Sequence, residues 1–259
     1  MNYFADPIKI EGNVLFVSDA HLGAPSERES LQREEWLIQL LLEKKNDIQH
    51  LFFLGDMFDF WFEYRDVVPK GYFRLFNILY EMNKAGINIY FFTGNHDMWV
   101  QDYFTKQFGC RVFYKQQGLI VNGKRCVIGH GDGIGGKQYR YMFIKHTFAF
   151  KPNRVLYGFL HPRLAFTLAR RFSRKSRQAH GPEEFVFRKE DEFQVKFARQ
   201  VLAEEPVDLF IFGHRHIPIE YRLTEQSVFL NTGDWLDNFT YLMFEKASES
   251  PTLHYFKQN

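Results

Sequence analysis

The sequence predicts a layered α/β fold, and two observations indicate it. Short apolar runs recur in the first part of the chain, at Asn13–Ser18, His50–Leu54 and Asn88–Thr93. Helix-length stretches, Glu29–Lys45 and Tyr72–Ala85, lie between these runs. The runs are apolar throughout rather than at alternate positions, which is typical of strands buried on both faces. The order strand, helix, strand, helix, strand is that of an α/β layered fold.

Two further apolar runs, Arg125–His130 and Asp208–Gly213, continue the strand series. After His214 the pattern changes to short segments joined by turns. These segments are Ile219–Leu223, Ser227–Asn231, Tyr241–Phe244 and Thr252–Phe256. They predict an antiparallel finish to the fold and a second sheet that packs on the first.

The segment Gly135–Ala203 interrupts the strand series and has a helical pattern. We predict helices at Tyr139–Phe150, at Arg154–Phe172 with a break near His161 and Pro162, and at Lys189–Ala203. We therefore expect one domain over residues 1–259, with a helical cap inserted at about 136–203.

Composition narrows the class of protein. The chain has 259 residues, enough for one large domain, and its two cysteines lack metal-ligand spacing. So few cysteines indicate a reducing compartment. The N-terminus has neither a basic start nor an apolar run, so we expect no signal peptide. No uncharged apolar run reaches the roughly 18 residues of a membrane span.

Charge is distributed unevenly along the chain. Residues 137–182 contain eleven Lys or Arg and no acidic residue, whereas the remainder has 22 basic and 31 acidic residues. Such separation indicates that one region faces an anion. A solvated basic helix face is the alternative, but it does not explain 46 residues without an acid.

Five short motifs directly follow or end the predicted strands. They are Asp19-Ala20-His21, Gly55-Asp56-Met57-Phe58-Asp59, Gly94-Asn95-His96-Asp97, Gly129-His130-Gly131-Asp132 and Gly213-His214-Arg215-His216. Carboxylate, amide and imidazole groups are ligands for divalent metals. A single such residue is more often a turn former. Five motifs at carboxyl ends of strands, where ligands bind in α/β sheets, together predict a metal site.

These motifs, in this order, resemble those of the calcineurin-like metallophosphoesterases. The resemblance spans Asp19 to His216. It implies a four-layered αββα sandwich with a helical cap insertion, and two divalent metal ions. Mn²⁺ is the ion that the resemblance implies, and the mixed oxygen and nitrogen ligands would also accept Fe²⁺ or Zn²⁺.

The resemblance also implies roles for individual residues. One metal would be bound by Asp19, His21 and His216. The other would be bound by Asn95, His130 and His214, and Asp56 would bridge the two ions. Beside Asn95, His96 would stabilise the transition state or protonate the leaving group, and Asp97 would orient His96.

A finer resemblance is to the UDP-2,3-diacylglucosamine hydrolases of lipid A synthesis. It is carried by residues 17–23 (VSDAHLG), 55–61 (GDMFDFW) and the basic stretch 169–177 (ARRFSRKSR). It implies cleavage of a nucleotide-sugar lipid to UMP and 2,3-diacylglucosamine 1-phosphate. Many members of that branch have Arg at the position of His96. The implied substrate-binding residues are Ser173, Arg174, Lys175 and Arg177.

The physical chemistry of the insertion fits that substrate. A pyrophosphate needs cations, and acyl chains need an apolar groove, which the aromatic and aliphatic residues of the insertion offer. Basic and aromatic helices also suit an anionic membrane surface. We therefore expect a cytoplasmic protein bound peripherally to the inner face of a bacterial inner membrane.

Three alternatives stay open. The chain could act on another small phosphate ester or nucleotide. It could be a nuclease that holds a phosphodiester backbone with its basic residues. The aromatic residues are mixed with Leu and Val, however, which is more typical of an apolar lining than of a stacking platform, so no nucleic acid partner is expected. It could also be a non-catalytic scaffold, against which all seven predicted ligands are present.

Overall fold

The fold was analysed in a computed structural model that describes residues 2–136, 139–179 and 186–256, with side chains in α6 as far as Ser173. These residues form twelve strands and seven α-helices. The strands are β1 (Ile8–Ile10), β2 (Val14–Val17), β3 (His50–Phe53), β4 (Asn88–Phe92), β5 (Arg111–Phe113), β6 (Gln117–Val121), β7 (Lys124–Gly129), β8 (Leu209–Phe212), β9 (Pro218–Arg222), β10 (Val228–Thr232), β11 (Thr240–Phe244) and β12 (Thr252–Tyr255). The helices are α1 (Glu27–Lys44), α2 (Phe73–Lys84), α3 (Tyr103–Phe108), α4 (Tyr139–Ala149), α5 (Lys151–Gly158), α6 (Pro162–Ala179) and α7 (Phe193–Leu202).

The strands form two six-stranded mixed sheets. Sheet 1 has the order β12-β11-β2-β3-β4-β5, and sheet 2 has the order β1-β6-β7-β8-β10-β9. In sheet 1, β2, β3, β4 and β5 are mutually parallel, and in sheet 2, β7, β8 and β10 are parallel. The carboxyl ends of each parallel set therefore lie at one edge of their sheet.

The two sheets pack face to face between helices, which gives four layers. Within β2, Leu15 and Val17 face α1, α2 and α3, whereas Val14 and Phe16 face sheet 2. This alternation explains why the strand has to be apolar at every position. On the outer face of sheet 2, Val127 and its neighbours pack against α7. The predicted αββα sandwich is confirmed.

The nine predicted strands are confirmed with ends shifted by at most one residue, whereas β1, β5 and β6 were not predicted. The chain's last strands differ from the expectation of a separate antiparallel sheet. β9 pairs antiparallel with β10 in sheet 2, while β11 joins β2 and β12 in sheet 1. The physical reason is that β10 pairs in parallel with β8, which extends a sheet that β7 has already begun.

The region between β7 and β8 is helical, as predicted. Pro162 begins α6, a position where its missing N–H costs nothing, and this places the expected break between α5 and α6. Val195, Ala198 and Val201 of α7 are buried against sheet 2. The helix therefore forms the fourth layer. Across the residues described, no helix is long and apolar enough to cross a membrane. The boundaries of the cap stay a prediction.

Candidate metal centre

The five motifs meet at the edge where the parallel strands end. Asp19 follows β2, Asp56 follows β3 and Asn95 follows β4, while His130 and His214 follow β7 and β8. The first two loops are joined by backbone hydrogen bonds. The Asp19 N–H donates to Gly55 O at 3.0 Å, and the His21 N–H donates to Asp56 O at 2.9 Å.

Five of the seven predicted ligands have left-handed backbone conformations. Their φ angles are 53° at Asp19, 42° at His21, 53° at Asp56, 70° at His214 and 54° at His216. Such a conformation costs a residue other than glycine roughly 1–3 kcal/mol, and it persists where the surrounding structure enforces it. Its concentration at one edge marks a functional site.

A first group of candidate ligands consists of Asp19, His21 and His216, whose ligand atoms lie within 4.8 Å of one another. Oδ1 of Asp19 is 3.5 Å from Nε2 of His216 and 4.0 Å from Nε2 of His21. Oδ2 of Asp19 accepts hydrogen bonds from Ser18 and from the His214 N–H. Oδ1 is fully buried and accepts no hydrogen bond. A bound cation would satisfy this oxygen, so the residues fit a metal ion.

A second group consists of Asp56, His130 and His214. Oδ2 of Asp56 is 3.4 Å from Nε2 of His130 and 3.8 Å from Nε2 of His21, so this carboxylate lies between the two groups. Oδ1 of Asn95 is 3.3 Å from the same His130 nitrogen. All seven sequence-predicted ligands are thus gathered in one cluster.

Hydrogen bonds on the far side of two imidazoles fix their tautomers. Nδ1 of His130 donates to the carbonyl oxygen of Leu54 at 2.7 Å, and Nδ1 of His216 donates to Oδ2 of Asp234 at 3.1 Å. In the neutral rings, Nε2 therefore carries the lone pair. In both residues that nitrogen faces the carboxylates of the cluster, which is the arrangement of metal-binding histidines.

The site favours positive charge. Burial alone would lower the pKa of His130, but Asp56 and other carboxylates raise it to about 10. Burial likewise opposes a charged His216, yet Asp19 and Asp234 raise its pKa to about 9. His214 differs, because burial and the charge of His130 lower its pKa to about 3. Since carboxylates stabilise the charge, divalent cations could replace these protons, so metal affinity should depend on pH.

His96 is oriented by Asp59. Nδ1 of His96 donates to the backbone oxygen of Asp59 at 2.9 Å and lies 3.8 Å from its carboxylate. The same carboxylate is 3.9 Å from Nδ1 of His21, and Ser173 Oγ of α6 donates to it at 2.5 Å. His21, Asp59 and His96 form a third group with metal-ligand geometry.

Asp97 contacts backbone amides rather than the His96 ring. Its carboxylate accepts from the Met57 N–H at 2.9 Å and from the Gly94 N–H at 2.7 Å. Burial, together with the charge of Asp56, raises its pKa to about 7. Asp97 therefore joins the loops that follow β3 and β4, and the expected orienting role falls to Asp59.

A comparison of the whole chain with known families agrees with this geometry. The sequence model of the calcineurin-like phosphoesterases matches residues 12–218, which include all five motifs. The chain belongs to the calcineurin-like phosphoesterase family. It is a metal-dependent hydrolase of phosphate bonds, with candidate ligands for a dinuclear divalent site.

Relatives of this phosphoesterase match over nearly their full length. A UDP-2,3-diacylglucosamine hydrolase of Porphyromonas gingivalis is 34% identical, covering 91% of this chain and 95% of the relative. One of Vibrio cholerae is 26% identical, covering 91% and 94%. A solved phosphoesterase from E. coli is 14% identical with a TM-score of 0.39, covering 95% of this chain and 100% of that one. This last likeness is too weak to bear on fold or function.

The predicted substrate contacts have different outcomes. Ser173 is buried and lies in the phosphoesterase site through its bond to Asp59. The structure describes the backbone of Arg174, Lys175 and Arg177 as part of α6, but it does not describe their side chains.

Other residues around the site were not singled out from the sequence. Arg33 of α1 is buried and donates to the carbonyl oxygens of Ala20 and His21. Asp132 accepts from Tyr141 and Lys145 of α4. Asp59 and Asp132 were marked only as members of motifs. No local sequence pattern indicated Arg33, because its contacts with the loop of His21 form only when the chain folds.

Proposed function

We propose that this phosphoesterase hydrolyses the pyrophosphate bond of UDP-2,3-diacylglucosamine to UMP and 2,3-diacylglucosamine 1-phosphate. The observation that carries the proposal is the 34% identity to the Porphyromonas gingivalis enzyme of that name, which extends over 95% of that relative. The buried carboxylate and histidine cluster supports the same chemistry.

Seven residues would hold the two ions. Asp19, His21 and His216 would bind one; Asn95, His130 and His214 would bind the other. Asp56, whose carboxylate lies between the two groups, would bridge them. We propose Mn²⁺ as the ion, with Fe²⁺ or Zn²⁺ as alternatives that the same ligands accept. When bound, such ions supply activated water and neutralise charge on the phosphoryl oxygens.

The chain's own residues position the reacting groups. The bond from Nδ1 of His96 to Asp59 leaves Nε2 of His96 available to the substrate. With both ring nitrogens protonated, His96 would donate from Nε2 and stabilise the charge that develops on the phosphoryl group. Asn95 and Asp97 would set the loop that presents His96. Water adds to the α-phosphorus, the bond to the bridging oxygen breaks, and its electron pair leaves with diacylglucosamine 1-phosphate.

The exposed face of α4, α5 and α6 would meet the membrane that carries the lipid. Large apolar side chains on this face are solvent-exposed, among them Tyr139, Phe143, Phe150, Leu156, Phe159, Leu164 and Phe172. Exposed basic residues, among them Lys151, Arg163, Arg170 and Arg171, accompany them. Apolar and basic residues on one surface fit anionic lipid. The proposed location is the cytoplasmic face of a bacterial inner membrane.

Turnover of UDP-2,3-diacylglucosamine tests the catalytic proposal. We expect release of UMP with Mn²⁺, no release with a chelator, and recovery when the metal is restored. Asp56→Ala should abolish turnover because the carboxylate between both metal groups is lost. Hydrolysis of nitrophenyl esters alone would show that the lipid is not the substrate.

Sedimentation with vesicles tests the membrane proposal separately. We expect the protein to sediment with vesicles containing phosphatidylglycerol and to be released by high salt. Phe159→Ser should weaken this binding, whereas Tyr255→Ser, which changes an exposed aromatic residue of β12, should leave it unchanged. Equal binding to uncharged vesicles would contradict the role of the basic residues.

A further inference from the structure

A groove runs between α6 and the loop that precedes α2. Its volume is about 590 Å³. Val67, Val68 and Pro69 of the loop form one wall, and Arg163 and Phe166 of α6 belong to the other. We call this cavity the α6 groove.

The α6 groove adjoins the candidate metal centre at Asp59. Asp59 lines the groove, and its carboxylate lies 3.9 Å from His21 and 3.8 Å from His96. Leu22 and Gly23, which directly follow His21, also line it. A molecule bound in the groove can therefore lie with one end beside the metal centre.

The floor of the groove has a specific local structure. Tyr72 has a left-handed backbone with φ of 58°, and its hydroxyl donates to the Leu22 carbonyl at 3.0 Å. A Cβ at position 23 would lie 2.9 Å from that hydroxyl, so Gly23 leaves room for it. Gly23 and Tyr72 together shape the floor of the groove next to the loop that carries Asp19 and His21.

The lining of the groove is cationic and aromatic. Lys70, Arg163 and Arg170 line it, and Asp59 is the one acidic residue among the lining residues that the structure describes. Phe60 and Phe166 make an edge-to-face contact with ring centroids 5.4 Å apart. Cations bind phosphate oxygens, and aromatic rings stack on nucleobases. An acyl chain needs no cation, so three cations in one groove favour a ligand that carries phosphate.

We propose that the α6 groove binds the uridine monophosphate half of the substrate, with the nucleobase against the aromatic wall and the phosphate towards Asp59 and the metal centre. This inference rests on the proposed function. It assigns the nucleotide end of the substrate to the cationic groove beside α6.

Calorimetric titration of UMP into the Mn²⁺-loaded protein tests the proposal without turnover. Lys70→Ala and Arg163→Ala each remove one exposed cation, and we expect each to weaken UMP binding about fivefold. Thr167→Trp should weaken it further by filling the groove. Lys115→Ala, which removes an exposed cation, and Leu168→Trp on α6 are controls that do not line the groove, and both should bind UMP as the wild type does.

The outcomes separate the groove from the reaction. Unchanged UMP affinity in both cation variants and in Thr167→Trp would overturn the assignment. So would weaker binding of 2,3-diacylglucosamine 1-phosphate with UMP binding intact, because the groove would then hold the lipid. UMP binding that depends on the groove in a protein that does not hydrolyse UDP-2,3-diacylglucosamine would refute the proposed function alone. Circular dichroism of each variant establishes that it is folded.

Discussion

Asp234→Asn tests whether a carboxylate outside the ligand set controls metal affinity. Asp234 is buried, and its two carboxylate oxygens accept hydrogen bonds from different donors. Oδ2 accepts from Nδ1 of His216 at 3.1 Å. Oδ1 accepts three backbone N–H bonds, from Leu236 at 3.1 Å and from Asp237 and Asn238 at 2.8 Å. Both the His216 ring and the three backbone amides therefore require a hydrogen-bond acceptor at position 234.

An asparagine cannot satisfy both sides. If its oxygen faces the three amides, its NH₂ group faces the N–H of His216, and the opposite orientation opposes NH₂ to the amides. Loss of a residue that orients a metal ligand typically costs 10–100-fold in metal affinity or activity, which is about 1.4–2.7 kcal/mol. We expect Asp234→Asn to lose Mn²⁺ affinity within that range.

Two measurements separate the metal effect from a general loss of stability. Mn²⁺ binding is measured by calorimetry, and urea unfolding is measured on metal-free protein. Asp237→Asn is the matched control, because this exposed carboxylate lies in the same loop, and we expect wild-type Mn²⁺ affinity. Wild-type affinity in Asp234→Asn, or an equal loss in both variants, would refute the reasoning.

Three further predictions concern residues around the site. Glu63→Gln should lower the free energy of unfolding, measured in urea, by about 1.5–3 kcal/mol, because the Glu63 carboxylate accepts hydrogen bonds from the backbone N–H groups of Gln101, Asp102 and Tyr103. An unchanged urea midpoint of unfolding would contradict the prediction. Asp132→Asn should raise amide hydrogen exchange in α4, because the Asp132 carboxylate accepts hydrogen bonds from Tyr141 at 2.5 Å and Lys145 at 2.6 Å. Exchange in α1 is the control, and equal exchange in α4 of the wild type and the variant would contradict the prediction. The thiol reagent DTNB at pH 8 should label neither cysteine in the native protein and both in urea. The reason is that burial raises the pKa of Cys110 to about 12 and raises that of Cys126 as well. Rapid labelling of the native protein would contradict the prediction.

Local sequence patterns predicted nine of the twelve described strands and the motifs that contain the candidate metal ligands, but not β1, β5 and β6. Each strand that carries a motif is apolar at every position because both of its faces are covered, as Val14 to Val17 show. Parallel strands end at a common edge, so motifs that follow such strands are brought together without further information. For this reason Asp19, Asp56 and His130 could be named before their distances were known.

Tertiary structure alone decided which residues support those ligands. Ser173 reaches Asp59 across 114 positions of sequence, and Arg33 reaches the loop of His21 from α1. Neither contact has a spacing that a sequence pattern records, because each depends on how whole elements pack.

The same distinction explains the two corrected expectations. The proximity of Asp97 to His96 in sequence indicated a contact, but the short loop directs the Asp97 carboxylate to backbone amides and leaves Asp59 beside the ring. The last strands carry no local signal of the sheet that they join, since β-pairing partners are distant in sequence. The sequence by itself determined the family and the motifs that bring the candidate metal ligands to one edge. The fold decided how that chemistry is oriented and where a substrate can reach it, because orientation and access arise from contacts between elements far apart in the chain.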